Sequence, residues 1–166
     1  KLFNLCSKLM LQIVEGNKPV IAKVHGAAYA AGCQLVASCD LAYSTKDALF
    51  ATPGVNIGLF CSTPMVAVSR KINKKPMMKM LLTGEPIKAN FAKEIGLIND
   101  CFSKSKLNNE VLKIAKKIAS KSNLTIKIGK RTFYKQLEMP LRKAYAHTSK
   151  MTVSYTHLTL PTILRV

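Results

Sequence analysis

The chain has 166 residues, of which 48% are hydrophobic, with eight glycines and seven prolines. This length suffices for one domain with a buried core, and the composition excludes a disordered or collagen-like chain. Twenty-six basic and eight acidic residues give a formal net charge of +18. That charge invites a nucleic-acid or anionic-ligand interpretation, but the lysines are spread over several predicted helices, so a solvated basic surface is the first interpretation.

The cysteines and histidines indicate no metal site. Five cysteines, at positions 6, 33, 39, 61 and 101, form no C-x-x-C pair, and three histidines show no metal-ligand spacing. Cys33 and Cys39 lie in an apolar stretch, which is typical of buried, reduced thiols of an intracellular protein. That stretch, residues 20–42, is interrupted by charged, polar and glycine residues and falls short of a membrane span. The chain begins at Lys1 without an initiator methionine, and we interpret it as a fragment of a longer protein.

Apolar periodicity predicts the elements of the first half. Leucine, isoleucine and valine recur at helical spacing over residues 2–14, and Gly16 lies where a helix would end. The β-branched run 19–26 predicts a central strand. The small residues 27–32 then predict a sharp turn into a short buried helix ending near Asp40. Short strands at 41–44 and 48–51 and a loop to residue 62 follow.

Helices dominate the second half. A helix runs through Arg70, a methionine-rich helix stops at Gly84, and a helix over 89–95 precedes an apolar strand at 96–102. We interpret the methionines as core residues. Helices are then predicted over 107–120 and 126–137 and from Pro140 onward. Strands in front and helices behind indicate an α/β fold with a parallel sheet and crossovers.

Residues 153–166, VSYTHLTLPTILRV, break these patterns because they lack a 3.6-residue period and carry few charges. They resemble the translated read-through of a sequencing-library adapter. We therefore predict that 153–166 is a non-native tail, in which Tyr155 and His157 have no function. The preceding chain is divided into a core over 1–105 and a helical region over 106–152.

The most informative unit is a buried strand, a tight turn of small residues and a helix start. Free peptide N–H groups at such a turn, together with the helix dipole, favour an anion or a developing oxyanion. The residues alone leave an alternative open, in which the turn is a close packing corner without a ligand.

Three motifs, in order along the chain, carry a resemblance to a known family. Residues 19–44, PVIAKVHGAAYAAGCQLVASCDLAYS, resemble the P-V-I-A-x-V-x-G-x-A-x-G-G-G-x-E-L-A-x-x-C-D segment of the enoyl-CoA hydratase/isomerase (crotonase) family. Residues 50–60, FATPGVNIGLF, resemble its F-x-x-P-E-x-x-x-G segment. Residues 81–100, LLTGEPIKANFAKEIGLIND, resemble its L-T-G-x-x-I-x-A-x-x-A-x-x-x-G-L motif. The resemblance implies a stacked ββα superhelix with C-terminal helices, lacking the family's N-terminal part.

The resemblance also implies a site. It assigns the second oxyanion-hole N–H to Ala31, where the family usually has glycine, and the two catalytic glutamates to Gln34 and Gly54. An amide orients water but does not take its proton near neutral pH, and glycine has no side chain. Each general acid–base step contributes about 10²–10⁴-fold, so the loss of both predicts little ordinary hydration.

Further family positions line the acyl and pantetheine channel, where simple packing is the alternative for each. These positions are Tyr29, Pro53, Phe60 and Ser62, and Gln34 and Gly54 are counted with them. Of the neighbouring residues, we expect Asp40 to anchor the turn after the helix, His25 to make a structural hydrogen bond and Cys61 not to act as a nucleophile.

The implied function is acyl-CoA binding in mitochondrial fatty-acid or lipid metabolism, with a thioester carbonyl polarised by backbone N–H groups. A coenzyme A thioester is the expected ligand, and no metal, redox cofactor or membrane partner is expected. The family's assembly into trimers and trimer pairs implies a homo-oligomer. Two alternatives stay open, namely a basic RNA-binding homologue and a non-catalytic subunit that mixes with active members.

Overall fold

The computed structural model describes the backbone of residues 1–163 and the side chains of residues 1–153. The helices are α1 Leu2–Glu15, α2 Ala31–Ser38, α3 Ser62–Val68, α4 Lys74–Thr83, α5 Ala89–Glu94, α6 Lys104–Ala119, α7 Asn123–Leu137 and α8 Leu141–Ile163. The strands are β1 Ile21–Val24, β2 Ala27–Tyr29, β3 Leu41–Thr45, β4 Leu49–Ala51, β5 Ile87–Lys88 and β6 Asp100–Phe102. A 3₁₀ turn, Pro53–Ile57, follows β4.

The strands form two small sheets, in the orders β1-β3-β6 and β2-β4-β5. All pairs are parallel except β4 with β5. The chain passes through one sheet and then the other before it enters a helix, once at β1-β2-α2 and again at β3-β4 with the helices that follow. This ββα repetition confirms the expected α/β class and its parallel crossover connections.

The structure corrects the prediction for residues 19–32. The first strand ends at Val24, and Gly26, with a φ of +145°, directs the chain into the second sheet. The small residues that indicated a turn form β2 instead, with Ala28 paired to Phe50. Tertiary pairing overrides the weak strand propensity of alanine here. The sharp turn is confined to Ala30.

The core fills the space between the sheets and helices α2 to α5. Phe50 and Val68 are fully buried within it. The buried face of α4 consists of Met77, Met80 and Leu81, which confirms the core assignment for two of the three methionines of this helix. The assignment is wrong for Met78, which is 45% exposed on the other face. None of the described helices combines the length and apolar character needed to cross a bilayer.

The end of α1 at Gly16 agrees with the sequence expectation, whereas the C-terminal end of α8 differs from it. The helix expected at 2–14 is confirmed as α1, but Gly16 is extended, with a φ of −63°, and is not a left-handed cap. A β-carbon at Gly16 would lie 2.6 Å from the Gln12 carbonyl oxygen, so close approach explains this glycine. Helix α8 continues to Ile163, past the break in pattern at residue 153. The predicted non-native tail falls almost wholly outside the described side chains, and it stays a prediction, as do the limits at 105 and 152.

Asp40, which follows α2, connects three distant parts of the chain. Its Oδ2 accepts hydrogen bonds from the Val20 N–H and from Lys130 Nζ, both at 2.7 Å. Its Oδ1 accepts a hydrogen bond from the Tyr134 hydroxyl at 3.0 Å. The expectation that Asp40 anchors the chain after the helix is therefore confirmed, and the anchor also reaches α7.

The Asp40–Lys130 ion pair is shielded from water. The side chains are 16% and 6% exposed, and Lys130 Nζ also donates to the carbonyl oxygens of Ile13 and Lys18 at 2.7 and 3.0 Å. Burial, reinforced by the Asp40 charge, raises the pKa of Tyr134, so this phenol stays a hydrogen-bond donor. The ammonium of Lys71 lies 5.4 Å from the Tyr134 ring centroid, and desolvation lowers the pKa of Lys71.

We expect Lys130→Met to lower the free energy of unfolding by about 3 kcal/mol, because it leaves the shielded Asp40 carboxylate without its counter-charge. The measurement is urea denaturation followed by circular dichroism. Lys93→Met is the matched control, since Lys93 and Asp100 pair at the same 2.7 Å distance with 50% and 38% of their side chains exposed. Exposed pairs contribute little. Equal losses in both variants would contradict the anchoring role.

Candidate active site

Two chain segments meet at one edge of the second sheet. Strands β2 and β4 are parallel, with Tyr29 opposite Ala51, so their carboxyl ends lie side by side. Helix α2 begins just after β2, and the 3₁₀ turn begins just after β4. The Ala30 N–H donates to the Ala51 carbonyl oxygen at 3.0 Å, and this hydrogen bond connects the segment after β2 to the end of β4. The segment with Ala31 and Gln34 is thereby placed beside the segment with Pro53 and Gly54.

The turn before α2 presents a free peptide N–H. Ala30 has a φ of +47°, and it is the one non-glycine residue of the described chain with positive φ. A β-carbon disfavours this region by roughly 1–3 kcal/mol, so surrounding contacts must hold it. Besides the bond to Ala51, the Ala30 carbonyl accepts from the Gln34 N–H at 3.0 Å. The next N–H, that of Ala31, has no acceptor among the described residues and belongs to an exposed residue. A free peptide N–H at a helix start is the kind of group that can donate to an anion.

Gln34 is fixed inside the protein. Its side chain is 4% exposed, and its Oε1 accepts from the Cys6 thiol at 3.7 Å. Its backbone carbonyl accepts from the Ser38 hydroxyl at 2.8 Å. None of the described residues accepts a hydrogen bond from the Nε2 amide. Gln34 is thus a positioned donor without proton-accepting chemistry. The contact with Cys6 escaped sequence reasoning, because 28 residues separate the two and no motif connects them.

Gly54 lies in a turn that leaves no room for a side chain. A β-carbon there would lie 2.9 Å from the Leu59 carbonyl oxygen and 3.0 Å from the Cys61 sulfur. Two hydrogen bonds hold this geometry: Gly54 N–H donates to Cys61 Sγ at 3.2 Å, and Leu59 N–H donates to the Gly54 carbonyl at 2.9 Å. This position therefore has no carboxylate, and the local backbone also leaves too little space for one.

The thiols near the site are packed as core groups. Cys33 is fully buried, and burial, with a smaller contribution from the Cys61 charge, raises its pKa to about 12. Cys61 is 7% exposed, and its sulfur accepts from the Gly54 N–H. Cys33 and Cys61 therefore both contribute to the packing beneath the site. Thr52, just before the turn, has a buried hydroxyl without a partner among the described residues, which sequence reasoning did not single out.

The outer residues of the predicted channel lie at the surface. Tyr29 and Phe60 are exposed, Pro53 is half-buried, and the Ser62 hydroxyl donates to the Phe60 carbonyl at 3.3 Å. Their role in substrate binding stays a prediction. His25 is exposed and makes no hydrogen bond to the described residues, so the structural bond expected for it stays a prediction. Within the described part of the chain, His, Cys, Asp and Glu side chains form no group of three that would hold a metal.

Comparison with known proteins identifies the origin of this arrangement. The family model described as enoyl-CoA hydratase/isomerase matches residues 4–159. The chain belongs to the enoyl-CoA hydratase/isomerase family. Membership agrees with the fold, because the structure contains the ββα units that the resemblance implied.

Individual relatives give the same result. The chain is 50% identical over 153 residues to human enoyl-CoA hydratase domain-containing protein 3, mitochondrial, covering 92% of this chain and 50% of the relative. The crystal structure of the human domain-containing protein 3 matches with a TM-score of 0.92 and 49% identity, covering 94% of this chain and 62% of that chain. An enoyl-CoA hydratase of Mycobacterium smegmatis matches with a TM-score of 0.92 and 45% identity, covering 93% and 60% of the two chains. The chain spans about half the length of the curated relatives. The family and the crotonase fold predicted from the motifs are confirmed.

The enclosed position of Gly54 predicts that Gly54→Ala lowers the free energy of unfolding by about 1–3 kcal/mol, because the new methyl group meets backbone atoms. The measurement is chemical denaturation. Gly32→Ala is the control, since its β-carbon would meet only the Ala28 β-carbon, at 4.0 Å. We expect the control to gain up to about 1 kcal/mol from helix propensity. An unchanged Gly54→Ala variant would show that the turn relaxes to admit a side chain.

Proposed function

We propose that this chain is part of a protein that binds a coenzyme A thioester and polarises its carbonyl through the Ala31 N–H, with little or no ordinary enoyl-CoA hydration. The observation that carries the proposal is the pairing of a free N–H at the strained turn with the enclosed Gly54. The binding part of the site is present in the backbone, while the proton-transfer part has no carboxylate.

Hydration requires a base that activates water and an acid that delivers a proton to the α-carbon. Gln34 supplies neither, since an amide does not titrate near neutral pH and its oxygen already accepts from Cys6. At Gly54 the turn lacks the room for an acid. What remains is electrostatic stabilisation by a fixed N–H dipole, which acts on any thioester carbonyl whose reaction develops negative charge on oxygen.

The proposed setting is mitochondrial fatty-acid or lipid metabolism. The support comes from the human relative, whose name includes the word mitochondrial and whose sequence is 50% identical over 153 residues. The coenzyme A thioester is the only small molecule that the proposal needs. Metal ions and redox cofactors have no part in it, because a backbone N–H is the group that acts on the carbonyl.

A matched pair of ligands tests the role of the N–H. For the complete protein, we expect butyryl-CoA to bind roughly 5- to 10-fold more tightly than its thioether analogue, which lacks the carbonyl oxygen. This difference in affinity corresponds to about one net hydrogen bond. Calorimetric titration gives both affinities, and coenzyme A alone is the control for the nucleotide part.

Crotonyl-CoA, added to the same protein, should keep its enoyl-thioester absorbance while bound. Equal affinities of thioester and thioether would remove the proposed carbonyl contact. Turnover near that of an ordinary hydratase would show that a carboxylate outside positions 34 and 54 supplies the base.

We further propose that the protein assembles into a homo-oligomer, a trimer or a hexamer. The supporting observation is a set of exposed apolar side chains on the hairpin of α7 and α8, namely Phe133, Leu137, Leu141 and Tyr145. Apolar surface of this kind is costly to leave in water and is typical of subunit contacts. The non-catalytic subunit alternative uses the same surface to join active family members.

Light scattering tests the assembly. We expect a mass of three or six subunits, and the double variant Leu137→Glu, Leu141→Glu should shift the protein toward monomers, because two charges then enter the contact. Leu82→Glu is the control, since Leu82 is an exposed leucine of α4 on another element. A monomeric native protein, or equal dissociation of both variants, would contradict the proposal.

A further inference from the structure

Helix α6 has two different sides. It packs on the β1-β3-β6 sheet through the fully buried Leu107, with half-buried Val111, Ile114 and Ile118 recurring on the same side. The exposed side of the helix carries four lysines, which we call the α6 basic face: Lys106, Lys113, Lys116 and Lys117. These four positions extend over about 16 Å along the helix axis, at ~1.5 Å per residue.

The α6 basic face encloses a shallow, open depression of about 390 Å³. Its walls are Lys106, Asn109, Glu110, Leu112, Lys113 and Lys116. Glu110 is the only acidic residue of α6, and its Oε1 pairs with Lys113 Nζ at 2.8 Å. The ammonium groups of Lys106 and Lys116 thus border a depression whose one carboxylate is already neutralised. This side of the helix is strongly cationic in a chain that is itself +18.

We propose that the α6 basic face is a peripheral docking surface for an anionic phospholipid bilayer. The argument is charge complementarity, because lysines near a negatively charged leaflet are attracted over about a Debye length and their attractions add. The helix lies flat on its own sheet and presents its cations in one elongated row. Such a row meets a planar array of lipid phosphates along its whole length. Peripheral contact of this kind needs no spanning helix.

Two features favour a bilayer over a nucleic acid. Leu112 is 47% exposed in the middle of the lysines, and an apolar side chain within a basic helix face suits the boundary between headgroups and acyl chains. The described part of α6 carries no arginine and no aromatic residue, whereas base readers use bidentate arginines and stacking rings.

Vesicle co-sedimentation of the complete protein tests the proposal, with phosphatidylcholine vesicles that contain or lack phosphatidylserine. We expect binding only to the anionic vesicles, with a steep decrease as salt rises. The variant Lys106→Glu, Lys113→Glu, Lys116→Glu should bind roughly 100-fold more weakly. The control Lys74→Glu, Lys75→Glu, Lys79→Glu makes the same charge change on α4 and should retain most of the binding.

Circular dichroism checks that both variants fold. If charge reversal unfolds α6, the triple variant with glutamine in place of the three lysines is used instead. Leu112→Ser should weaken binding to vesicles several-fold and leave electrostatic binding to a single-stranded RNA unchanged. The proposal is overturned if the native protein ignores anionic vesicles, or if the α6 and α4 variants lose binding equally, which would make net charge the cause. It is also overturned if the α6 variant loses affinity for RNA but keeps that for vesicles.

Discussion

The carboxylate of Asp40 accepts hydrogen bonds from an N–H next to β1, from an ammonium on α7 and from a phenol on α7. These donors lie 20, 90 and 94 residues away along the chain. A single shielded charge therefore fixes the exit of α2, the entry of β1 and the position of the C-terminal helices relative to both. Because Lys130 also donates to carbonyls near the end of α1, removal of either partner leaves polar groups without compensation. The orientation of α2, and with it the turn at its start, depends on this cluster.

The turn at the start of α2 depends on the fixed orientation of that helix. Ala30 occupies a strained conformation in which glycine would be preferred, yet it is held by hydrogen bonds to both of its backbone groups. Those bonds need β4 on one side and the first turn of α2 on the other. The free N–H of Ala31 is thus a consequence of the packed fold and not of any one side chain. Small residues here matter because they leave the backbone accessible.

Some of these features follow directly from sequence and others do not. The helical period predicted α1 correctly, although Met10 is the only residue of α1 that is buried in this chain. The strand at 41–44 and the α/β class were likewise predicted correctly. β2 was missed because Ala27 and Ala28 have low strand propensity, and only pairing with β4 makes them a strand. The motif resemblance located Gln34 and Gly54, but not the thiol of Cys6 beside the amide or the closed turn around the glycine. Contacts between residues far apart in the chain leave no periodic signal, which is also why the exposure of His25 was not anticipated.

Carbonyl polarisation and proton transfer depend on different parts of a protein chain. Polarisation of a carbonyl uses a peptide N–H, which every residue except proline provides once the backbone is in place. Proton transfer uses a titratable side chain, which a single substitution removes without disturbing the fold. In this chain Gln34 and Gly54 are integrated into the packing, since Gln34 is buried against α1 and the Gly54 turn closes on Cys61. A glutamate side chain at position 54 would require the turn to open, whereas the Ala31 N–H stays free for as long as β2, β4 and α2 stay together. Loss of a side-chain carboxylate therefore leaves the backbone donor of such a fold in place.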